Sequence, residues 1–189
     1  MITEQNRCGW AGQDPLYIAY HDKEWGVPEY SSRALWEKLI LEGFQAGLSW
    51  ITILKKRDNF RKAFASFDPN VIADWGGEQV ENLLQDSGII RHRSKIEATI
   101  GNAKAWQKIE HAQGFDHFLW RYVDHKPIIN TWASLSEVPA QTPLSQQISR
   151  DLKTAGFKFC GPTIVYAFLQ AAGLINDHLV TCPAHGLRR

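Results

Sequence analysis

The sequence predicts an all-α fold. Three observations carry it: apolar residues recur at helical spacing, capping and stopping residues bracket those stretches, and neither sustained alternation nor an Asn-Gly or Asp-Gly hairpin marks a strand. Ser31 or Ser32 caps a helix that runs to about Ala46, with Leu35, Leu39, Phe44 and Ala46 among its apolar positions, and Gly47 ends it. A second helix starts near Ser49 and runs through Ile53, Leu54, Phe60, Ala63 and Phe64, with a basic face of Lys55, Lys56, Arg57, Arg61 and Lys62. Asp68-Pro69 is a cap followed by a proline suited to the first helical position. Residues 78–87 form a short helix stopped by Gly88, residues 93–112 a longer one closed by Gly114, and residues 115–123 a further helical piece. Residues 127–143 read as loop, residues 145–155 as a helix ended by Gly156, and Pro162 opens a last helix that Gly173 ends.

Composition fits one folded domain. Hydrophobic residues make up 44% of the 189 and charged residues 22%, an ordinary globular balance far from that of disordered chains. Lys plus Arg number 21 against 20 Asp plus Glu, so any affinity for nucleic acid must come from local clusters. The opening ten residues are polar and lack the apolar core of a secretory signal, while the longest apolar stretch, 162–175, contains Gln170 and is too short to span a bilayer. The expectation is a cytoplasmic monomer with no membrane partner. Three cysteines, an odd number without framework spacing, point to reduced thiols or metal ligation over disulfides. Eight tryptophans exceed what a core of this size requires, which leaves some for stacking.

Cys8 and His21 near the start, with His178 and Cys182 at i and i+4 near the end, form a possible Cys2His2 set. Thiolate and imidazole suit Zn²⁺, and four protein ligands leave no open position, so its role would be structural, clamping the two ends of the chain. Chance spacing is the alternative, since no CxxC is present.

The segment 41–50 is the most informative. On a helical wheel Glu42 sits at the edge of the stripe formed by Leu35 and Leu39, away from Glu37 and Lys38, where a carboxylate faces partial burial. A cationic ligand would compensate, and Tyr17, Tyr20 and Trp50 could supply π faces for it. The competing reading pairs Glu42 with a nearby Lys or Arg and leaves the aromatics in the core. A third feature, residues 86–95, places Gly88 in a turn before a helix N-terminus, with Arg91, Arg93 and Lys95 adding charge for phosphate. It looks like a helix-hairpin-helix, although Ile90-Arg91 stand where a second glycine is usual; a solvated turn is the plainer alternative.

Taken together, Arg7-Cys8-Gly9-Trp10, Asp14-Pro15-Leu16-Tyr17, the run from Tyr20 to Pro28, Leu41-Glu42-Gly43, Gln45 to Trp50, Gly88 to Arg93, Gly156-Phe157-Lys158-Phe159 and Asn176-Asp177-His178 closely resemble the 3-methyladenine DNA glycosylase I family over about residues 7–182. The resemblance implies a helix-hairpin-helix glycosylase fold: a zinc-clamped lobe from about 1–30 and 145–189, and a helical hairpin lobe of about 31–144. It implies structural zinc on Cys8, His21, His178 and Cys182. The base pocket would hold Glu42 as catalytic residue with Tyr17, Tyr20, Trp50 and Trp10. Gly47 and Leu48 would fill the gap left by an extracted nucleotide, and Arg91, Arg93 and Lys95 would bind DNA. Phe44 stands where the family often has a polar residue and would alter the pocket wall.

The implied partner is double-stranded DNA containing an alkylated adenine. The expected reaction is hydrolysis of the N-glycosidic bond by water, without a covalent intermediate or strand cleavage: the alkylated, cationic base departs neutral, and neither an aspartate base downstream of the hairpin nor a lysine nucleophile in its second helix is evident. A damage binder that releases no base, a zinc hydrolase and a small zinc-held interaction module are the rivals from other classes.

Overall fold

A computed structural model describes residues 6–186; residues 1–5, half of the polar opening stretch, and residues 187–189, at the other end of the expected single domain, lie outside it. Among the described residues the helices are α1 (Pro15–Lys23), α2 (Ser32–Gln45), α3 (Trp50–Ala63), α4 (Pro69–Ile72), α5 (Gly77–Gln85), α6 (Arg93–Gln113), α7 (Phe115–Trp120), α8 (Pro143–Thr154) and α9 (Pro162–Ala171). None is long and apolar enough to cross a membrane.

Helix α1 has no apolar stripe, so periodicity gives no sign of it. Its start is nonetheless written in the chain: Asp14 accepts from the Leu16 amide at 3.0 Å and Pro15 takes the first helical position, the same Asp-Pro device that starts α4. The expected loop at 127–143 has little regular structure. It contains β1 (Ile128–Ile129), which pairs in parallel with β2 (Ile175–Asn176), and a turn of 3-10 helix at Leu135–Glu137. A parallel pair between remote segments leaves no hairpin signal in sequence. Helix α8 begins at Pro143 because Thr142 and Ser145 cap each other's backbone.

Helix α2 is the spine of the molecule. Its Leu35, Trp36, Leu39, Ile40, Leu41 and Phe44 are all buried, against α9, α3, α6 and α7. Each such side chain stabilises the fold by about 1.5–3 kcal/mol. Phe44 faces this core, with its ring 4.8 Å from Phe60 and 5.6 Å from Phe64, so it does not form the pocket wall that its position suggested.

The segment after α1 is stitched onto the end of α9. Gly26 N–H donates to Gln170 O at 3.1 Å and Glu29 N–H to Ala172 O at 3.0 Å. Gly173 makes this crossing possible: its φ is +70°, and a Cβ there would stand 2.3 Å from the carbonyl carbon of Val27. The segments that follow α1 and α9 are thereby brought together.

Candidate functional site

Helix α1 presents two chemistries at once. Tyr17 and Tyr20, three residues apart, share a face with ring centroids 6.4 Å apart, while His21 turns to the other side. Trp50, the first residue of α3, brings its ring within 5.4 Å of Tyr20. Trp10 stands 5.1 Å from Tyr17 and 4.9 Å from Trp25. These rings line a cavity of about 410 Å³, within the range of small-molecule sites, and Glu42 is in its wall.

Glu42 is 4% exposed and has no hydrogen-bond partner among the described residues. Burial pushes its carboxyl up to about 8. The helical wheel set Lys38 apart from it; in fact Lys38 lies one turn earlier on α2, and its charge opposes the rise. Glu42 in turn adds to the upward push that burial gives the phenols of Tyr17 and Tyr20. Among the described residues no lysine lines the cavity. The arrangement is a desolvated acid walled by π faces, which suits a flat, positively charged guest.

Cavity residues that the sequence reading did not single out are Trp25, Gln45, Leu135, Val138, Ala167, Gln170 and Asp177. Asp177 is 2% exposed and accepts from Asn130 Nδ2 at 2.7 Å, Trp132 Nε1 at 2.8 Å, Gln170 Nε2 at 2.7 Å and the Tyr166 hydroxyl. It thus ties the 130–138 segment, with Leu135 and Val138, to α9. Gln170 carried a signal, as a lone amide in an apolar stretch; Leu135 and Val138 carried none.

Cys8, His21, His178 and Cys182 come together, all buried, with their ligand atoms within 4.8 Å of one another, and this group could hold a metal ion. His21 Nδ1 bonds Asp22 Oδ1 at 2.7 Å, and Arg7 grips the same carboxylate at 2.9 and 3.0 Å, holding it below the usual carboxylate range. A carboxylate behind a histidine fixes the ring's orientation. Trp10 and Trp25 lie between this group and the cavity, 5.1 Å from His21 and 4.7 Å from His178 respectively.

The remaining expected residues lie in the turn from α2 to α3 and in the hairpin between α5 and α6. Gly47 has φ +82°, and Leu48, 40% exposed, follows it in the turn from α2 to α3. In the hairpin, Arg91 is exposed, and Arg93 pairs with Glu81 at 2.8 Å and Glu97 at 3.8 Å. Lys95 does not join them: it is 7% exposed, and its ammonium donates to Phe44 O at 2.9 Å and Ala46 O at 2.8 Å. An amine so enclosed is not presented to a phosphate. The basic face of α3 is also largely committed, with Lys55 on Asp14, Arg57 on Glu24, Arg61 on Glu37 and Lys56 on the carbonyl of Ser87 in the hairpin.

A family model described as methyladenine glycosylase matches residues 10–185. DNA-3-methyladenine glycosylase 1 of Escherichia coli is 56% identical over 177 residues, covering 93% of this chain and 95% of that protein. DNA-3-methyladenine glycosylase of Haemophilus influenzae is 51% identical over 178 residues, 94% of this chain and 96% of its own. The structure of 3-methyladenine DNA glycosylase I from Staphylococcus aureus, described as the basis of 3-methyladenine recognition, is 40% identical and superposes with a TM-score of 0.94 over 99% of this chain and 100% of that one. With a buried acid in an aromatic cavity, a Cys/His group behind it and likeness over nearly its full length, this chain belongs to the methyladenine glycosylase family.

Proposed function

We propose that this protein is a monofunctional DNA-3-methyladenine glycosylase acting on double-stranded DNA that carries the alkylated base. The observation that carries the reading is Glu42, a buried carboxyl without a hydrogen-bond partner in a cavity of aromatic rings. Its high pKa keeps it largely neutral at pH 7 unless a cation stands beside it. A cationic adenine draws it into its charged form, because two unit charges about 4 Å apart attract by roughly 4 kcal/mol at an effective dielectric of 20. Normal, neutral adenine offers no such return.

The nucleotide must first leave the stack, at a cost of a few kcal/mol. Leu48, exposed beside the cavity residue Gln45, fills the gap in the duplex, and Gly47 provides the turn that projects it. Arg91, Arg93 and the N-terminus of α6, which has no side-chain cap, receive phosphate. Tyr17, Tyr20, Trp50 and Trp10 hold the base, and Glu42 accepts hydrogen bonds from its edge. When the glycosidic bond breaks, its electron pair passes to the base, which departs neutral; water adds to the sugar carbon and releases a proton. Among the described residues no lysine lines the cavity, which supports a reaction without a Schiff base and with the strand left intact.

The metal we assign to Cys8, His21, His178 and Cys182 is zinc. Tetrahedral Zn²⁺ with Zn–S near 2.3 Å and Zn–N near 2.0 Å would put a sulfur and a nitrogen donor about 3.5 Å apart. Cys8 Sγ and His178 Nδ1 are 3.7 Å apart, and Cys182 Sγ is 3.8 Å from both His178 Nδ1 and His21 Nε2. Four protein donors make the site structural. A monomer in the cytoplasm, with lobes of about 1–30 plus 145–189 and 31–144, completes the reading.

The test is chromatography of bases released from methylated duplex DNA. Wild type should release 3-methyladenine, and Glu42→Gln should lose most of that activity. Undiminished release by the variant would remove Glu42 from the mechanism, and no release by wild type would leave a damage binder.

A further inference from the structure

Lys95 is the third residue of α6, where the positive end of the helix dipole disfavours a cation, and it is almost fully enclosed. Seen from its own helix the position is unfavourable. The compensation comes from another element: α2 ends at Gln45, and its last carbonyls have no partners along the helix. Lys95 Nζ meets two carbonyls there, Phe44 O at 2.9 Å and Ala46 O at 2.8 Å, at the negative end of that helix. The ring of Phe159 closes the site, 5.9 Å from the ammonium.

What this clamp joins is specific. Ala46 immediately precedes Gly47 and the exposed Leu48, and Phe44 is two residues beyond Glu42. Lys95 itself follows Arg91 and Arg93 of the hairpin by four and two residues. A single side chain therefore fastens the phosphate-binding edge to the take-off of the segment that enters the duplex. We propose that Lys95 is a positioning residue that locks Gly47–Leu48 to the hairpin, so that gripping the backbone sets the depth and angle at which Leu48 enters. The proposal rests on the reading of Leu48 as the gap-filling residue.

The test separates DNA engagement from base recognition. Lys95→Met keeps most of the length of the side chain but removes both bonds. Its affinity for free 3-methyladenine should stay within about twofold of wild type, because the cavity walls are untouched. Its binding to duplex containing an abasic-site analogue, and single-turnover excision from methylated duplex, should fall about tenfold or more. In a double-mutant cycle, adding Leu48→Ala should cost little beyond the first substitution.

Equal loss in both assays would show mere structural damage, and duplex activity equal to wild type would overturn the proposal. Leu48→Ala alone guards the underlying reading. If it leaves excision unchanged, the gap-filling assignment fails; if it impairs excision while Lys95→Met does not, the clamp alone fails. Should Lys95→Met not fold, Lys95→Gln, which retains a donor, is judged by the same ratio of duplex to free-base affinity.

Discussion

Tyr20 and His21 are consecutive residues of α1, both buried, and they belong to different sites: the Tyr20 ring lies 5.4 Å from Trp50 in the cavity, while His21 Nε2 lies 3.8 Å from Cys182 Sγ. One helix thus forms a wall of the cavity and a side of the Cys/His group that could hold a metal. Whatever fixes His21 fixes the phase of α1, and with it the two tyrosines.

Metal removal should therefore be felt in the cavity. Chelation, or Cys182→Ala, is expected to lower the melting temperature markedly, since a structural metal contributes folding free energy directly. At temperatures where the treated protein remains folded, its affinity for free 3-methyladenine should also fall, as Tyr17 and Tyr20 lose their register. Isothermal titration on metal-loaded and metal-stripped protein checks it. Unchanged affinity after verified loss of metal would show that α1 holds its place by packing alone.

Glu42 should make the protein less stable as pH rises. Its folded pKa, about 8, lies above the ordinary 4.5, so the stability associated with its neutral form is full below about pH 4.5 and is lost as pH climbs through 8. At about 1.4 kcal/mol per pH unit between those values, the loss approaches about 5 kcal/mol. Glu42→Gln, always neutral, should match wild type near pH 5 and melt at a higher temperature at pH 9. Calorimetry across that range decides it: a gap independent of pH would mean that the carboxyl is not desolvated.

Lys38 should tune that same acid. It lies one turn before Glu42, its ammonium donates to Ala171 O at 3.2 Å, and its charge opposes the upward push on the carboxyl. In Lys38→Met the carboxyl should ionise at higher pH, so the acid limb of the activity profile moves toward alkali. Near pH 6.5 excision should drop on the order of fivefold, equivalent to about 1 kcal/mol of charge interaction, and recover by pH 9. Superimposable profiles for variant and wild type would remove Lys38 from the site.

Much of this was legible in the chain, and the reasons differ by element. Helix α2 announced itself because its stripe and caps agree, and Glu42 stood out as an acid at that stripe's edge. Helix α1 was missed because its residues serve two sites and leave no stripe, although Asp14-Pro15 marked its start. Lys95 looked like its neighbours Arg91 and Arg93, since sequence spacing shows charge and not the two carbonyls of α2 that enclose it. Leu135 and Val138 had no signal at all: they reach the cavity through a loop held by bonds from remote residues.

Those bonds converge on Asp177, which gives the last prediction. Its carboxylate receives donors from Asn130 and Trp132 on the loop and from Tyr166 and Gln170 on α9, and it is 2% exposed. Asp177→Asn keeps the shape but replaces an acceptor oxygen with a donor NH2, which must face donors already in place. Leaving a buried donor of such a network without its acceptor costs about 1–3 kcal/mol. The damage should not stop at stability, because the freed loop carries Leu135 and Val138 out of register with the cavity. Affinity for free 3-methyladenine should therefore decline at temperatures well below melting, with hydrogen exchange rising at residues 130–138 and not in α2. If exchange there stays at the wild-type rate while melting falls, Asp177 stabilises the fold without shaping the cavity.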